Sequence, residues 1–238
     1  MDDITQEPLL DSSQGWLHFN RQRERFSVHF PTEWVVRTLA GANYPTLKLD
    51  KTHYRGARIL DLGCGDGRNL ALLSALEFEI HATEISEEMV ADVEKRAKKR
   101  GWDVDLKVGT NSKIPFPDEY FNYVLSCSSC YYLKPTITWP EVMSEIARVI
   151  PAGGIFIGNL PAPDNSLLAH GQTQADGSVI IVDDPFGLRN GIRFMVARDY
   201  HDVGRLLKPC FEAVGVGHLR DDFYGLVVSA YIFAARKI

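Results

Sequence analysis

The sequence predicts an α/β fold built on a doubly wound, mainly parallel sheet, and three observations carry that prediction. Between Arg58 and Asn159, short apolar runs alternate with segments of helical period, the order that produces right-handed βαβ units with helices on both faces. A glycine-rich bend, Asp61-Leu62-Gly63-Cys64-Gly65-Asp66-Gly67, joins the first run to the first following helix, where a doubly wound sheet receives ligands. Near the end, Ala213–Val216 and Leu226–Ala235 read as strands with no helix between them. The connection Gly217 to Gly225 is too short for a parallel crossover, so this pair is expected to be antiparallel.

Taken in order, residues 1–15 are polar and acidic without an apolar period and are expected to fray. Phe26, Phe30, Trp34, Val35 and Leu39 recur at helical steps within a cap over 16–45, which Pro31 divides in two. Arg58–Leu62 reads as a buried strand, Arg68–Leu76 as a helix and Glu77–Ala82 as the second strand. The next helix has clear ends. Ser86 is its N-cap, Glu87 and Glu88 face the positive end of the dipole, Lys98–Arg100 face the negative end, and Gly101 follows. Strands are expected at Val104–Val108, Tyr123–Ser126 and Ile155–Asn159, with a helix over Pro140–Ile150 and another over Asp199–Lys208. Residues 16–238 read as one domain. Within it, Leu160–Arg198 is a long irregular insertion, and such a segment is usually functional; it is expected to act as a lid.

Composition narrows the function. Of 238 residues, 45% are hydrophobic and 24% charged, and 26 basic against 31 acidic residues give a net charge of −5. That balance supplies no basic field for a phosphate backbone, which disfavours nucleic acid as a partner. The longest apolar run, Gly225–Ala235, has 11 residues, against about 20 needed to span a bilayer. The acidic start and four cysteines without a framework spacing suit a reducing cytoplasmic compartment. Cys127-x-x-Cys130 lacks a second pair, so no metal site is expected.

Glycines in the bend allow a sharp turn and close approach of backbone to a ligand. Glu84 lies 21 residues beyond Gly63, at the end of the second strand. The two strand ends adjoin in such a sheet, so its carboxylate can accept both hydroxyls of a ribose. The dinucleotide fingerprint places its third glycine three positions after the second; that position here is Arg68, and the third glycine is Gly67. This G-x-G-x-G pattern disfavours a pyrophosphate cradle.

Four segments in register then resemble the class I S-adenosylmethionine-dependent methyltransferases, in particular their small-molecule branch. Ala57–Gly67 looks like the family's first motif and Thr83–Met89 like its acidic ribose loop. Ile114–Asn122 resembles the approach to the fourth strand, and Glu145–Gly154 the run into the fifth. The resemblance implies a seven-stranded sheet in the order 3-2-1-4-5-7-6, with the last strand antiparallel. It also implies S-adenosylmethionine as cofactor, contacted by Asp61, Gly63, Gly65, Gly67, Asn69, Glu84, Ile85, Thr110, Asn111 and Ser126. The family commonly has Gly-Asp-Ala where this chain has Gly109-Thr110-Asn111, so adenine would be met by side-chain oxygens instead of a carboxylate. Asn122 and Ala152 also depart from the family pattern and read as neutral changes of turn chemistry.

On the acceptor side, Glu33 and Arg37 lie four apart on one helix face, a spacing that also suits a plain surface ion pair. Tyr131 and Tyr132 follow the fourth strand and could line the acceptor pocket. In the insertion, His170 and Asp183 are candidates for a general base, and Arg189 could grip a carboxylate or phosphate in two-point fashion. Together these features predict methyl transfer to an oxygen or nitrogen of a small molecule, with a sugar, nucleotide-sugar or similar metabolite favoured by the polar lid. The alternatives are an RNA or protein methyltransferase, an NAD-dependent oxidoreductase and a non-catalytic S-adenosylmethionine-binding module.

Overall fold

The computed structural model describes residues 12–23 and 30–238; Phe26, one of the residues of the expected helical cap, lies outside them. The chain runs α1 (Ser12–Arg23), α2 (Glu33–Ala40), β1 (Arg58–Leu62), α3 (Leu70–Ala75), β2 (Glu79–Glu84), α4 (Glu87–Arg100) and β3 (Val104–Val108). It continues through β4 (Tyr123–Ser126), β5 (Tyr132–Leu133), α5 (Trp139–Arg148) and β6 (Ile155–Pro161). After a short 3-10 turn come β7 (Gln172–Thr173), β8 (Val179–Ile180), β9 (Arg193–Phe194), α6 (Tyr200–Leu207), β10 (Phe211–Phe223) and β11 (Leu226–Lys237).

The main sheet has seven strands in the order β10-β11-β6-β4-β1-β2-β3. Counted along its own strands, that is the expected 3-2-1-4-5-7-6. β1 pairs parallel with β2 and β4, whereas β11 runs antiparallel to both β6 and β10. Strand periodicity sorts the core into two layers. Leu60, Leu62 and Phe156 face the layer holding Val142, Met143 and Leu206. Ile59 and Ile157 face the layer holding Val35, Leu70 and Val93.

Local chemistry sets the element ends. Ser86 Oγ accepts the amide of Met89 at 3.3 Å to open α4, and Gly101, at φ +70°, closes it. At α5, the Thr138 amide donates to Glu141 at 2.7 Å. The approach to β4 is pinned from α5. Glu145 accepts the amide of Ile114 at 2.7 Å, while Arg148 donates to the carbonyls of Ile114 and Phe116 at 2.9 and 3.0 Å.

Four expectations are corrected. Residues 1–11 of the segment expected to fray lie outside the described residues, but 12–15 open α1, which packs tertiary contacts the local pattern does not show, with Leu17 and Asn20 both buried. Asn122 is more than turn chemistry, since its Oδ1 accepts the amide of Arg58 at 3.0 Å where β1 begins, a bond that an aspartate at this position would also accept. β10 continues to Phe223 instead of ending at Val216, and only Tyr224-Gly225 turn the hairpin, both with positive φ. The charged run Arg220-Asp221-Asp222 disguised a strand that lies at the sheet edge, where charge is usual. Residues 160–198 are not irregular throughout. Their first two residues belong to β6, and β7, β8 and β9 join β5 in a second, four-stranded antiparallel sheet. Two-residue strands leave no readable period, yet Ile181, Phe194, Met195 and Ala197 are buried in the main core.

Candidate active site

At the end of β1 the backbone turns through three glycines with positive φ, +68° at Gly63, +63° at Gly65 and +73° at Gly67, a conformation that costs side-chain-bearing residues energy. The three have different tasks. A Cβ on Gly63 would meet Ser129 Cβ at 2.7 Å, so the bare backbone lets the loop after β4 cross it. A Cβ on Gly67 would press on Leu70 and Val93 at 3.0 and 3.2 Å, where α3 and α4 close in. At Gly65 a Cβ would point into space that holds no protein atom within 4 Å. The bend is tied to β2, because the amides of Gly63 and Cys64 donate to Thr83 Oγ1 and O at 3.3 and 3.0 Å.

Two buried carboxylates sit beneath this bend. Glu84 Oε1 accepts the amide of Gly65, and its Oε2 accepts the amide of Ile85 at 3.0 Å. Burial pushes its carboxyl up to about 7, against the two amide bonds that favour the charged form. Asp61 is fully buried and neither of its oxygens has a hydrogen-bond partner among the described residues. Burial first, then the neighbouring charges of Glu84 and Asp66, push it up to about 7. Asp66 itself pairs with Arg68 at 2.8 Å. An orphaned carboxylate of this kind costs free energy until a cationic or donor group meets it.

The other expected contact residues separate into those facing the bend and those holding it. Ile85 is partly exposed beside Glu84. Thr110 Oγ1 lies 3.3 Å from Ser112 Oγ. Asn111 Nδ2 donates to the carbonyls of Cys130 and Tyr132 at 2.9 and 2.7 Å, which leaves its Oδ1 as the remaining acceptor. Asn69 Oδ1 accepts the amide of Thr32 at 3.0 Å, anchoring the start of α2 beside the bend. Ser126 Oγ is fully buried, accepts the amide of Cys130 at 2.8 Å and lies 2.7 Å from Ser129 Oγ. Asn69 and Ser126 therefore shape the site from behind.

The wall beyond β4 is aromatic. Tyr131 stacks on Tyr132 with ring centroids 5.1 Å apart, and both rings pack edge-on against Phe194. Burial pushes the Tyr131 phenol well above its ordinary value, so it stays protonated and can donate, not abstract, a proton. Cys127 Sγ donates to Thr32 Oγ1 at 3.4 Å, and burial lifts its thiol to about 11. The two base candidates lie in surroundings unlike those of the buried Tyr131. His170 and Asp183 are both exposed, and neither side chain makes a hydrogen bond among the described residues. Asp183 stands at φ +56°, and its neighbour Asp184 is the buried carboxylate of that turn.

Sequence reasoning passed over Ser129, Asn159 and Asp184. Ser129 Oγ donates to the carbonyl of Leu62, and Asn159 Oδ1 accepts the amide of Ser128 at 2.7 Å, holding Ser128 at φ +62°. A polar residue within an otherwise apolar strand was the available signal for Asn159, and the Asp-Pro-Phe-Gly turn was the signal for Asp184.

Residues 59–154 match the family model described as a methyltransferase domain. The chain is 32% identical over 114 residues to the demethylmenaquinone methyltransferase of Symbiobacterium thermophilum, covering 45% of this chain and 44% of that protein. It is 33% identical over 119 residues to the phosphatidylethanolamine N-methyltransferase of Cereibacter sphaeroides, covering 48% of this chain and 56% of that protein. It thus spans about half the length of these relatives. In fold it is similar to a protein from Pyrococcus horikoshii OT3, with a TM-score of 0.63 at 23% identity over 92% of this chain and 99% of that one. It is equally similar to a SAM-dependent methyltransferase from Methanosarcina mazei, with a TM-score of 0.63 at 18% identity over 82% of this chain and 98% of that one. The strand order and the glycine bend with its acidic partner are those that the resemblance to the class I S-adenosylmethionine-dependent methyltransferases implies, and residues 59–154 are similar to a methyltransferase domain.

Proposed function

We propose that this protein transfers the methyl group of S-adenosylmethionine to an oxygen or nitrogen atom of a small molecule. The observation that carries the reading is Asp61, a fully buried carboxylate with two unpartnered oxygens beneath a glycine bend whose Gly65 opens onto free space. An ammonium group is the partner such a carboxylate lacks, and a bare backbone is what a close-lying ligand requires. The family's cofactor brings both an ammonium and a ribose, so the residues present fit it. When bound, it supplies a methyl group on a positively charged sulfur.

In this reading Asp61 takes the ammonium, and Glu84 accepts ribose hydroxyls while keeping its hold on Gly65. Gly63, Gly65 and Gly67 let the backbone approach. Ile85 covers one face of the adenine, and Thr110 Oγ1 or Asn111 Oδ1 accepts from its amino group. Asn69 and Ser126 hold these groups in place. The chain's main contribution to the reaction is alignment in a water-poor site. A general base is required only for an acceptor whose proton is held tightly. Tyr131 serves as a hydrogen-bond donor, and the exposure of His170 and Asp183 argues against either as a base.

Relatives named for demethylmenaquinone, phosphatidylethanolamine and 27-O-demethylrifamycin SV support a small-molecule acceptor. Trp16, Tyr132 and Phe186 around Arg189 favour one with an apolar part over a bare sugar. No helix of the described residues is long and apolar enough to cross a membrane. Calorimetric titration with S-adenosylhomocysteine tests the reading. Saturable binding that Asp61→Asn weakens supports it, and a flat titration of the folded protein refutes it. Transfer of labelled methyl to a panel of hydroxyl- and amine-bearing compounds then identifies the acceptor atom.

A further inference from the structure

Arg189, between β8 and β9, is clamped in a way that leaves three of its five side-chain donors without a bond among the described residues. Its Nε donates to Tyr132 Oη at 3.1 Å and its Nη1 to Asp184 Oδ2 at 3.0 Å. Its guanidinium carbon lies 4.6 Å from the centroid of the Trp16 ring and 5.8 Å from that of Phe186. A guanidinium has five N–H donors, so these bonds leave one on Nη1 and both on Nη2. The side chain is only 13% exposed, yet none of its nitrogens is sealed without a partner, whereas Nε of Arg193 is. The spare edge therefore keeps some access to solvent, and the half-exposed ring of Phe186 lies close by.

Asp184 engages only one edge of the guanidinium. Its carboxylate also accepts the amides of Phe186, Leu188 and Arg189 at 3.1, 2.9 and 2.9 Å, so its negative charge is shared among several donors. A strut would need one ion pair; a guanidinium fixed on one edge and stacked on an indole presents its other edge in one orientation, the arrangement that grips an oxyanion. The position also suits a substrate. Tyr132, which Arg189 touches, ends the loop that starts where Ser129 crosses Gly63, and its carbonyl is fixed by Asn111. Arg189 thus stands at the outer end of the loop that lines the methyl-donor site.

Resting on the methyltransferase reading, we propose that Arg189 is the anion-recognition residue of the acceptor subsite. The acceptor is then a small organic carboxylate or phosphate whose apolar body lies against Trp16 and Phe186. Preorganisation explains the clamp, because an arginine already immobilised loses little entropy when the ligand arrives.

The test titrates benzoate, phenyl phosphate and the neutral isostere benzamide into the full chain saturated with S-adenosylhomocysteine. One of the two oxyanions is expected to bind roughly tenfold or more tightly than benzamide, as charge-assisted bonds require, and which one binds separates carboxylate from phosphate. Arg189→Gln should abolish that preference while leaving S-adenosylhomocysteine affinity unchanged, with a lower melting temperature because the buried Asp184 loses its cationic partner. If Arg189→Gln does not fold, Arg189→Lys decides, since charge without the fork should weaken the preference several-fold. Equal binding of oxyanion and amide, failure of both oxyanions to bind at millimolar concentration, or a preference that survives these substitutions overturns the proposal. A flat titration with S-adenosylhomocysteine overturns the methyltransferase reading as well, whereas bound S-adenosylhomocysteine without oxyanion preference overturns this subsite alone.

Discussion

The carboxylate of Glu84 accepts the backbone amide of Gly65, so the end of β2 grips the glycine bend that follows β1. The same side chain that would hold a ribose also shapes the loop beside it. Removing it acts on both levels. Glu84→Ala should weaken S-adenosylhomocysteine binding by about 1–3 kcal/mol, the worth of hydrogen bonds to a charged group. Glu84→Gln, which keeps one acceptor oxygen, should lose less. Calorimetry on both variants checks the order, and unchanged affinity in Glu84→Ala would remove the cofactor from this place.

Asp61 and Glu84 both titrate near 7 in the folded chain, against about 4 for unfolded carboxylates. Their folded values are raised, so the stabilising contribution is fully present below about pH 4 and is lost as pH rises through 7. The ligand-free protein should therefore lose stability between about pH 4 and 7, by an amount on the order of a few kcal/mol for the coupled pair. Ligand binding runs the other way. An ammonium beside Asp61 favours the ionised form, so affinity should fall by roughly tenfold per unit below pH 7 and level off above it. Asp61→Asn should flatten both profiles, measured as melting temperature and as calorimetric affinity from pH 5 to 8.5.

Gly63 and Gly65 share a backbone conformation and differ in what surrounds them, so the same substitution should have different results. Gly63→Ala drives a methyl into Ser129 at 2.7 Å and adds strain at positive φ. It should cost about 1–3 kcal/mol of stability and displace the loop after β4. Gly65→Ala meets no atom within 4 Å, so its stability cost should be the backbone strain alone, about 1–2 kcal/mol. Its methyl instead fills the space a ligand would occupy, and S-adenosylhomocysteine affinity should drop further than in Gly63→Ala. Thermal melts and titrations on the pair separate the two effects.

Most of the sheet was legible because its central strands are buried on both faces and its helices carry explicit ends; β1 and β4 begin and end where the apolar runs do, and β3 where apolar and charged residues alternate. The bend and Glu84 were legible because glycine and a lone acid at a strand end are local signals. What could not be read depends on contacts distant in sequence. Asn159 meets Ser128 across 31 residues and Asn111 meets Tyr132 across 21, and no spacing rule connects them. Asp183 and Asp184 are chemically identical neighbours. Only the turn decides that one faces water and the other collects amides.

Asp184 provides the last prediction. It accepts three backbone amides within its own turn and the guanidinium of Arg189, and that turn meets α1 through Phe186 and Phe19, whose rings lie 6.5 Å apart. Asp184→Ala leaves these donors without an acceptor, at a local cost of about 1–3 kcal/mol. The two carboxylates under the glycine bend belong to other elements, so S-adenosylhomocysteine affinity should remain within about twofold of the parent, the additivity expected of well-separated sites. Acceptor turnover should fall at least tenfold, because Arg189 and Phe186 lose their fixed positions. Asp183→Ala, on the exposed side of the same turn, is the control and should change neither quantity. A loss of cofactor affinity in Asp184→Ala would show that the segment between β6 and β9 helps hold the cofactor and is not confined to the acceptor side.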